Sequence, residues 1–248
     1  MVDLRSKYPF YLSSKDDEYF EYYIKNRELT IEQVITFVNI GLHQPFYSSI
    51  RKVKDHHNPT VLVNKFLQLD CGYIPDDLER INSHYNAGEY VLRHDARIAF
   101  EQMCKAAELE GIYMEAISTF RSFSYQNTVY FKNLAPEILL EDYQKIRDRV
   151  SARPGHSEHQ TGLAVDINDL EEDFEDTVAG KWLAANSHLY GYLLRYPKGK
   201  EHITGYNYEP WHFRYLGRRL AAKVYHSQLT YDEYYVRYLA LPHLLQQF

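Results

Sequence analysis

The chain has 248 residues, of which 45% are hydrophobic and 25% charged, and its formal net charge at pH 7 is -6. This composition fits one ordinary globular core, alone or with a small appendage. The negative charge and the lack of a basic block give no indication of binding to nucleic acid or to an anionic membrane. The sequence contains neither an apolar run of about eighteen residues nor a secretory signal at its N-terminus. We therefore expect either a cytoplasmic protein or one whose export segment has been removed.

The N-terminal part of the chain is predicted to be helical. Residues 13–42 have the spacing of two short helices, and Thr30 with Gln33 forms a capping box for the second of them, over 31–40. The polar stretch 52–59 that follows predicts a linker or a long loop.

The middle of the chain contains one strongly amphipathic segment, residues 93–110. Its apolar residues recur at helical spacing and Gly111 follows it, which predicts a helix that ends at this glycine. A strand over 112–120 is predicted to lead directly into Arg121. The other elements predicted here are a strand over 61–63, a helix capped by Ser122 or Ser124 that runs to 133, and a helix over 136–150.

Residues 163–167 alternate in the manner of a strand, with Ala164 and Asp166 on one face. The other predicted elements are strands over 190–196 and 211–215, and helices over 218–226 and 231–241. Helices at both ends of the chain around a few clustered strands predict an α+β fold.

Two short stretches offer ligands for a metal ion. His159 and Asp166 lie seven residues apart, an odd separation that an ideal strand would place on opposite faces, but Gly162 between them provides a turn. Glu209 and His212 have the same problem, and the proline between them indicates a bulge or loop that directs both side chains into one cleft. Two imidazoles, a carboxylate and a spare glutamate are what a catalytic zinc site requires.

One further residue competes as a ligand. His156 lies three residues before His159, but it follows a glycine in a predicted loop, so we rank it second. The cysteines, Cys71 and Cys104, form no metal-binding spacing and no framework of bridges. Cys104 is predicted to be a small buried side chain, and a bridge between the two is left open.

The motifs around these residues resemble those of a known family. The pattern S-x-H-x-x-G-x-A-x-D runs from Ser157 to Asp166, and E-x-W-H begins at Glu209. In this order they resemble the zinc D-alanyl-D-alanine carboxypeptidases, in particular the branch that contains the vancomycin-resistance carboxypeptidase and the LD-carboxypeptidases that trim peptidoglycan stems. The resemblance covers about residues 60–226. Further matching segments are 62–65, 73–78, 120–122 with Gln126, and 153–155.

The resemblance implies a role for each matching residue. The implied ligands of one Zn²⁺ per chain are His159, Asp166 and His212, with Glu209 as general base. The implied substrate contacts are Arg121, which is placed near the scissile carbonyl or the terminal carboxylate, Gln126 and Ser157. The implied fold is a small antiparallel sheet with flanking helices, shared with hedgehog-type signalling domains. Residues 61–248 would form this domain and residues 1–60 an N-terminal helical extension.

The activity that the resemblance implies is removal of the terminal D-alanine from peptidoglycan stem peptides, with DD- or LD-specificity left open. This would place the protein at the cell envelope. One alternative is a peptidoglycan endopeptidase of the same fold, and another is a non-catalytic, zinc-stabilised binding module. The spare carboxylate of Glu209 argues against the binding module, because a structural zinc site is closed by four ligands. The sequence does not indicate an oligomeric state.

Overall fold

The structure is a computed structural model that describes residues 4–240. Its helices are α1 (Leu4–Lys7), α2 (Asp16–Lys25), α3 (Ile31–Ile40), α4 (His94–Glu108), α5 (Phe123–Phe131), α6 (Leu140–Arg147), α7 (Val178–Asn186), α8 (Glu201–Thr204), α9 (Arg218–Ser227) and α10 (Tyr231–Tyr234). Its strands are β1 (Arg51–Lys52), β2 (Leu67–Gln68), β3 (Leu78–Arg80), β4 (Val91–Arg93), β5 (Ala116–Ser118), β6 (Ala164–Ile167), β7 (Tyr192–Leu194) and β8 (His212–Tyr215). The architecture is α+β, as predicted. Within the described residues, no helix has the length and apolarity needed to cross a membrane.

A four-stranded antiparallel sheet in the order β5-β6-β8-β7 forms the centre of the fold. Val165 and Phe213 are paired between β6 and β8, and directly opposed residues project to the same face. That face packs against α4, whose Phe100 and Met103 are fully buried in the same apolar cluster. Burial of a side chain of this size contributes roughly 1.5–3 kcal/mol. The opposite face of β6 and β8 is therefore the one that carries polar side chains.

The prediction of a strand over 61–63 is wrong. Val61 and Val63 are buried but belong to no strand, and the Val61 carbonyl accepts a hydrogen bond from Arg214 Nη2 at 2.8 Å. A short apolar run does not distinguish a buried strand from a buried loop. Here the Arg214 side chain donates the hydrogen bond that the backbone of a neighbouring strand would otherwise donate to this carbonyl.

Several other predicted elements exist but are shorter. The strand over 112–120 is reduced to β5, which pairs with β6 across a register shift. The helix over 136–150 is reduced to α6, and the strand over 190–196 to β7. The last predicted helix is α10 followed by a π-helical turn, Tyr235–Leu239, and its final residue, Leu241, lies outside the described residues.

The N-terminal helices pack on the rest of the protein. Thr30 and Gln33 form the predicted capping box at the start of α3, where Thr30 Oγ1 accepts from Gln33 N at 3.2 Å. Phe37 of α3 shares an apolar cluster with Phe66 and Val236. Residues that lie far apart in sequence therefore form one continuous core at this end of the molecule.

Candidate metal centre

Asp166 and His212 are brought together by the sheet itself. They are paired in the register of β6 and β8, on the face opposite to the apolar core. Asp166 Oδ1 lies 3.0 Å from His212 Nδ1. Both side chains are buried. The odd separation between Glu209 and His212 is resolved by a turn in which His212 N donates to Glu209 O at 3.3 Å.

His159 reaches the same place from a 3₁₀ segment, Glu158–Thr161. Ser157 caps the segment, and Gly162 ends it with a φ of +68°. A Cβ at Gly162 would lie 2.9 Å from the side chain of Leu78, so both the conformation and the close packing favour glycine. This turn corrects the odd separation between His159 and Asp166, as predicted. His159 Nε2 lies 3.3 Å from Asp166 Oδ2.

The proton on His159 can be located from its neighbours. His159 Nδ1 lies 2.6 Å from the Thr119 carbonyl oxygen, which only accepts hydrogen bonds, so Nδ1 carries the proton. Burial, and next the charge of Arg121, lower the pKa of His159 to about 4, so its ring is neutral. Nε2 therefore presents a lone pair to the carboxylate of Asp166. Two acceptors that converge in this way need a cation between them.

The arrangement fits a zinc ion. One ligand atom each from His159, Asp166 and His212 lies within 4.8 Å of the others. A tetrahedral zinc with bonds of about 2.0–2.1 Å would place its ligand atoms roughly 3.3 Å apart. The distances from the two oxygens of the Asp166 carboxylate are similar, at 3.3 Å from Oδ2 to His159 Nε2 and 3.0 Å from Oδ1 to His212 Nδ1. Asp166 Oδ1 is buried and accepts no hydrogen bond from the part of the chain that the structure describes. The site thus offers a ligand oxygen that is free to bind a metal ion, and it is open on one side.

The charges around the site also favour a cation. Burial opposes ionisation of Asp166, but the facing His159 and His212 hold its pKa well below the usual value. Burial would lower the pKa of His212, but the nearby carboxylates of Asp166 and Glu158 outweigh it and raise the pKa to about 9. The protein therefore stabilises positive charge at this position, either as a proton or as a metal ion.

Glu209 and Arg121 lie beside the ligands. Glu209 Oε2 is 3.7 Å from His212 Nδ1, and burial raises the pKa of Glu209 to about 7. Burial lowers the pKa of Arg121, whereas Asp166 and Glu209 oppose that shift. The Nε atom of Arg121 is buried without a hydrogen-bond partner among residues 4–240. A carboxylate that can exchange a proton near neutral pH and an uncommitted guanidinium thus face the same space.

These groups open into a cleft of about 410 Å³. Its lining includes the three candidate ligands together with Arg121, Val129, Arg147, Ser157, Glu158, Glu171, Tyr196, Tyr206, Glu209 and Trp211. Six of the seven predicted site residues line it. Gln126 does not, since its Nε2 donates to the Ala152 carbonyl at 2.7 Å and supports a residue of the cleft wall.

The other residues considered as ligands lie elsewhere. His156 is buried with its Nδ1 2.8 Å from the Asn64 carbonyl, and it lies outside the metal cluster. Cys71 is exposed and Cys104 is buried, and both are free thiols. Cys104 packs within the main apolar cluster, as predicted.

Three functional neighbours were not predicted from the sequence. Glu158 Oε1 accepts from Arg195 Nε and from Arg214 Nη1, both at 2.9 Å, and all three side chains are buried behind His212. Burial would raise the pKa of Glu158, but the two arginines outweigh it and hold the pKa well below its usual value. The sequence contains a signal that Glu158 and Arg214 lie close to the site, because Glu158 lies inside the first motif and Arg214 follows the E-x-W-H motif on a predicted strand.

Comparison with known proteins agrees with this chemistry. The sequence matches the family model described as "VanY: D-alanyl-D-alanine carboxypeptidase" over residues 89–218, just over half of the chain. It is 38% identical over 211 residues to the putative carboxypeptidase YodJ of Bacillus subtilis, a match that covers 79% of this chain and 76% of YodJ.

Two solved structures are similar in fold as well. The LdcB LD-carboxypeptidase has a TM-score of 0.70 at 34% identity, over 77% of this chain and 91% of that one. The vancomycin-resistance D,D-pentapeptidase VanY of the VanB-type cassette, solved as a variant in complex with Zn(II), has a TM-score of 0.61 at 30% identity, over 71% of this chain and 98% of that one. From the family match and the identity to YodJ, the chain belongs to the VanY family of D-alanyl-D-alanine carboxypeptidases.

Proposed function

We propose that this protein is a zinc-dependent carboxypeptidase that removes the terminal D-alanine from peptidoglycan stem peptides, with His159, Asp166 and His212 as the zinc ligands. The observation that carries the proposal is the convergence of three ligand atoms within 4.8 Å beside a spare carboxylate, that of Glu209. A structural zinc site would be closed by a fourth protein ligand, whereas this one faces a cleft.

Different side chains would carry out the separate steps of amide hydrolysis. Zn²⁺ at these ligands would supply Lewis-acid chemistry that makes water a nucleophile near neutral pH. Glu209 would accept the proton of the attacking water on its carboxylate and then deliver it to the nitrogen of the leaving D-alanine. A pKa of about 7 suits both transfers, because the group gives up and takes up a proton with little cost at neutral pH.

Arg121 would bind the negatively charged end of the substrate. Its guanidinium lines the cleft, and Nε lacks a partner in the described part of the chain. A planar fork of donors matches a carboxylate, and the same group can offset the charge of the tetrahedral oxyanion. Ser157 lines the cleft and would contact substrate there, whereas Gln126 would act through the cleft wall at Ala152.

The substrate class follows from the family and from known relatives. LdcB is described as an LD-carboxypeptidase and the VanY neighbour as a D,D-pentapeptidase, so both stem tetrapeptides and stem pentapeptides are candidate substrates. A cleft of about 410 Å³ is large enough for several residues of such a peptide. Because these peptides belong to the cell wall, we also propose that the protein acts at the cell envelope.

The proposal further includes the organisation of the chain. Residues 61–248 would form the catalytic domain and residues 1–60 a helical extension. The packing of Phe37 against Phe66 and Val236 supports an extension that shares a core with the catalytic domain.

One experiment tests the activity and its specificity. The zinc-loaded protein is incubated with a stem pentapeptide and a stem tetrapeptide, and the products are identified by mass spectrometry. Loss of one alanine from the pentapeptide indicates DD-cleavage, loss from the tetrapeptide indicates LD-cleavage, and an internal cut indicates an endopeptidase. Chelator-treated protein is the control and is expected to be inactive. Absence of every product from the zinc-loaded protein would refute the proposal.

A further inference from the structure

We propose, on the basis of the function above, that Glu158 is a positioning residue that holds the His212 ring with Nδ1 directed towards the metal. Glu158 Oε2 lies 3.6 Å from His212 Nε2. Both atoms are buried, and neither has a hydrogen-bond partner within the described residues. Buried polar atoms normally have hydrogen-bond partners. Because Glu158 Oε2 and His212 Nε2 both lack one and face each other, the simplest explanation is that they are partners of one another. A small rotation of either side chain would form the bond.

The orientation of the His212 ring makes this contact necessary. Nδ1 faces the site, 3.0 Å from Asp166 Oδ1 and 3.7 Å from Glu209 Oε2. If Nδ1 gives its lone pair to the metal, the ring must carry its proton on Nε2, and a buried N–H needs an acceptor. Glu158 Oε2 lies on that side of the ring. His159 shows the same design with a different acceptor, because its outer nitrogen donates to the Thr119 carbonyl.

The carboxylate of Glu158 is itself fixed in place. Its other oxygen, Oε1, accepts from Arg195 Nε and Arg214 Nη1, both at 2.9 Å. Arg195 N donates to the His212 carbonyl at 3.1 Å, and Arg214 follows His212 by two residues on β8. The acceptor and the imidazole are thus attached to the same part of the sheet. A buried carboxylate is tolerated only when it is paired in this way.

A second carboxylate provides a matched control. Asp232 Oδ2 accepts from Arg195 Nη1 at 2.7 Å and is as deeply buried as Glu158. Its other oxygen accepts from Asn64 Nδ2 at 2.8 Å rather than facing His212. Glu158 and Asp232 therefore neutralise the same arginine, but only Glu158 reaches the ring. A role limited to pairing Arg195 would make the two carboxylates equivalent, and Glu158 differs further in that it also pairs with Arg214.

The first test measures Zn²⁺ affinity by competition with a chelator. Glu158→Gln is expected to weaken binding about 10–100-fold, the usual effect of losing an outer partner of a ligand. Asp232→Asn is expected to bind as the wild type does, and Glu158→Asp to fall between. Unchanged affinity in Glu158→Gln, or an equal loss in Asp232→Asn, would overturn the positioning role. Wild-type protein that binds no Zn²⁺ would instead refute the proposed function.

A second measurement on the wild type covers the case in which Glu158→Gln does not fold. In zinc-loaded protein labelled with ¹⁵N-histidine, the two ligand rings should show opposite patterns in NMR spectra. His212 is expected to carry a slowly exchanging proton on Nε2 with the metal on Nδ1, and His159 the reverse. A proton on Nδ1 of both rings, or rapid exchange of the His212 proton, would contradict the inference.

Discussion

Asp166 and His212 are directly opposed across β6 and β8, and Oδ1 of the first lies 3.0 Å from Nδ1 of the second. The hydrogen-bond register of the sheet therefore sets the separation of two metal ligands. A slip of one residue would turn His212 towards the apolar core that contains Phe213. The same strands that position these two ligands bury the core on their other face, so the packing of the sheet holds the ligands at this separation.

The first prediction concerns metal binding. His159→Ala or His212→Ala is expected to abolish stoichiometric zinc, because two ligands and one open position hold the ion poorly. Elemental analysis of purified protein measures the effect. His156→Gln is the control, since His156 is also buried and lies three residues from His159 but bonds the Asn64 carbonyl. Loss of zinc from the His156 variant as well would contradict the ligand set.

The second prediction separates the base from the ligands. Glu209→Gln should retain zinc yet lower kcat by about 10²–10⁴-fold, the usual contribution of a positioned general base. Glu171→Gln is a suitable control, because Glu171 lines the same cleft but is exposed. Steady-state kinetics with the preferred stem peptide measure kcat for the wild type and for both variants. Near-normal kcat in the Glu209 variant would exclude its role as base.

The third prediction concerns the role of Arg121. If its guanidinium binds the terminal carboxylate, Arg121→Lys should lower kcat/KM because a single ammonium does not reproduce the bidentate fork. The decisive comparison uses a peptide with an amidated C-terminus. Wild type should lose activity on the amide, and the variant should discriminate much less between the two peptides. Undiminished discrimination in the variant would assign Arg121 to the oxyanion instead.

The sequence is sufficient to predict the fold class and six of the residues that line the cleft, because both are carried by local signals, but Gln126, predicted as a substrate contact, does not line it. The amphipathic spacing of α4 gave a helix correct to within two residues, and the turn at Gly162 was visible as a small residue between two ligands. Periodicity and turn chemistry depend on near neighbours along the chain.

The parts that could not be predicted depend on distant partners. Glu158 lies inside one of the motifs, but its partners Arg195 and Arg214 are 37 and 56 residues away, so the motif does not show that it is a buried, ion-paired carboxylate. Val61 is predicted to lie in a strand but lies in a loop, where its carbonyl accepts a hydrogen bond from Arg214, 153 residues away. The contacts of Arg214 thus explain two features, the buried Glu158 carboxylate and the loop at Val61, that a pattern of hydrophobic and polar residues does not predict.

The fourth prediction tests whether the N-terminal helices share the core. Phe37→Ala should lower the free energy of unfolding by about 3–5 kcal/mol, the usual cost of removing a buried phenylalanine. Phe20→Ala on α2 is the control, because that ring is 65% exposed and should change stability by no more than about 0.5 kcal/mol. Denaturant unfolding followed by two probes should give one transition. Two separate transitions would indicate an independently folding extension.

The fifth prediction concerns acid stability of the metal-free protein. Burial would raise the pKa of Glu158, but Arg195 and Arg214 outweigh that effect and hold the pKa well below its usual value. As the pH falls, the unfolded chain therefore binds this proton before the folded protein does. The stabilisation is fully present above about pH 5 and is lost progressively as the pH falls below the unfolded pKa.

Denaturant titrations of chelated protein from about pH 6 to pH 3 should thus show a free energy of unfolding that falls with pH. The fall should be shallower in Glu158→Gln, which has no proton to take up at that position. Chelation is essential, because zinc release is itself linked to protonation of the histidine ligands. Equal slopes in the two proteins would mean that the pKa of Glu158 is not depressed and that the two arginines do not stabilise its ionised form.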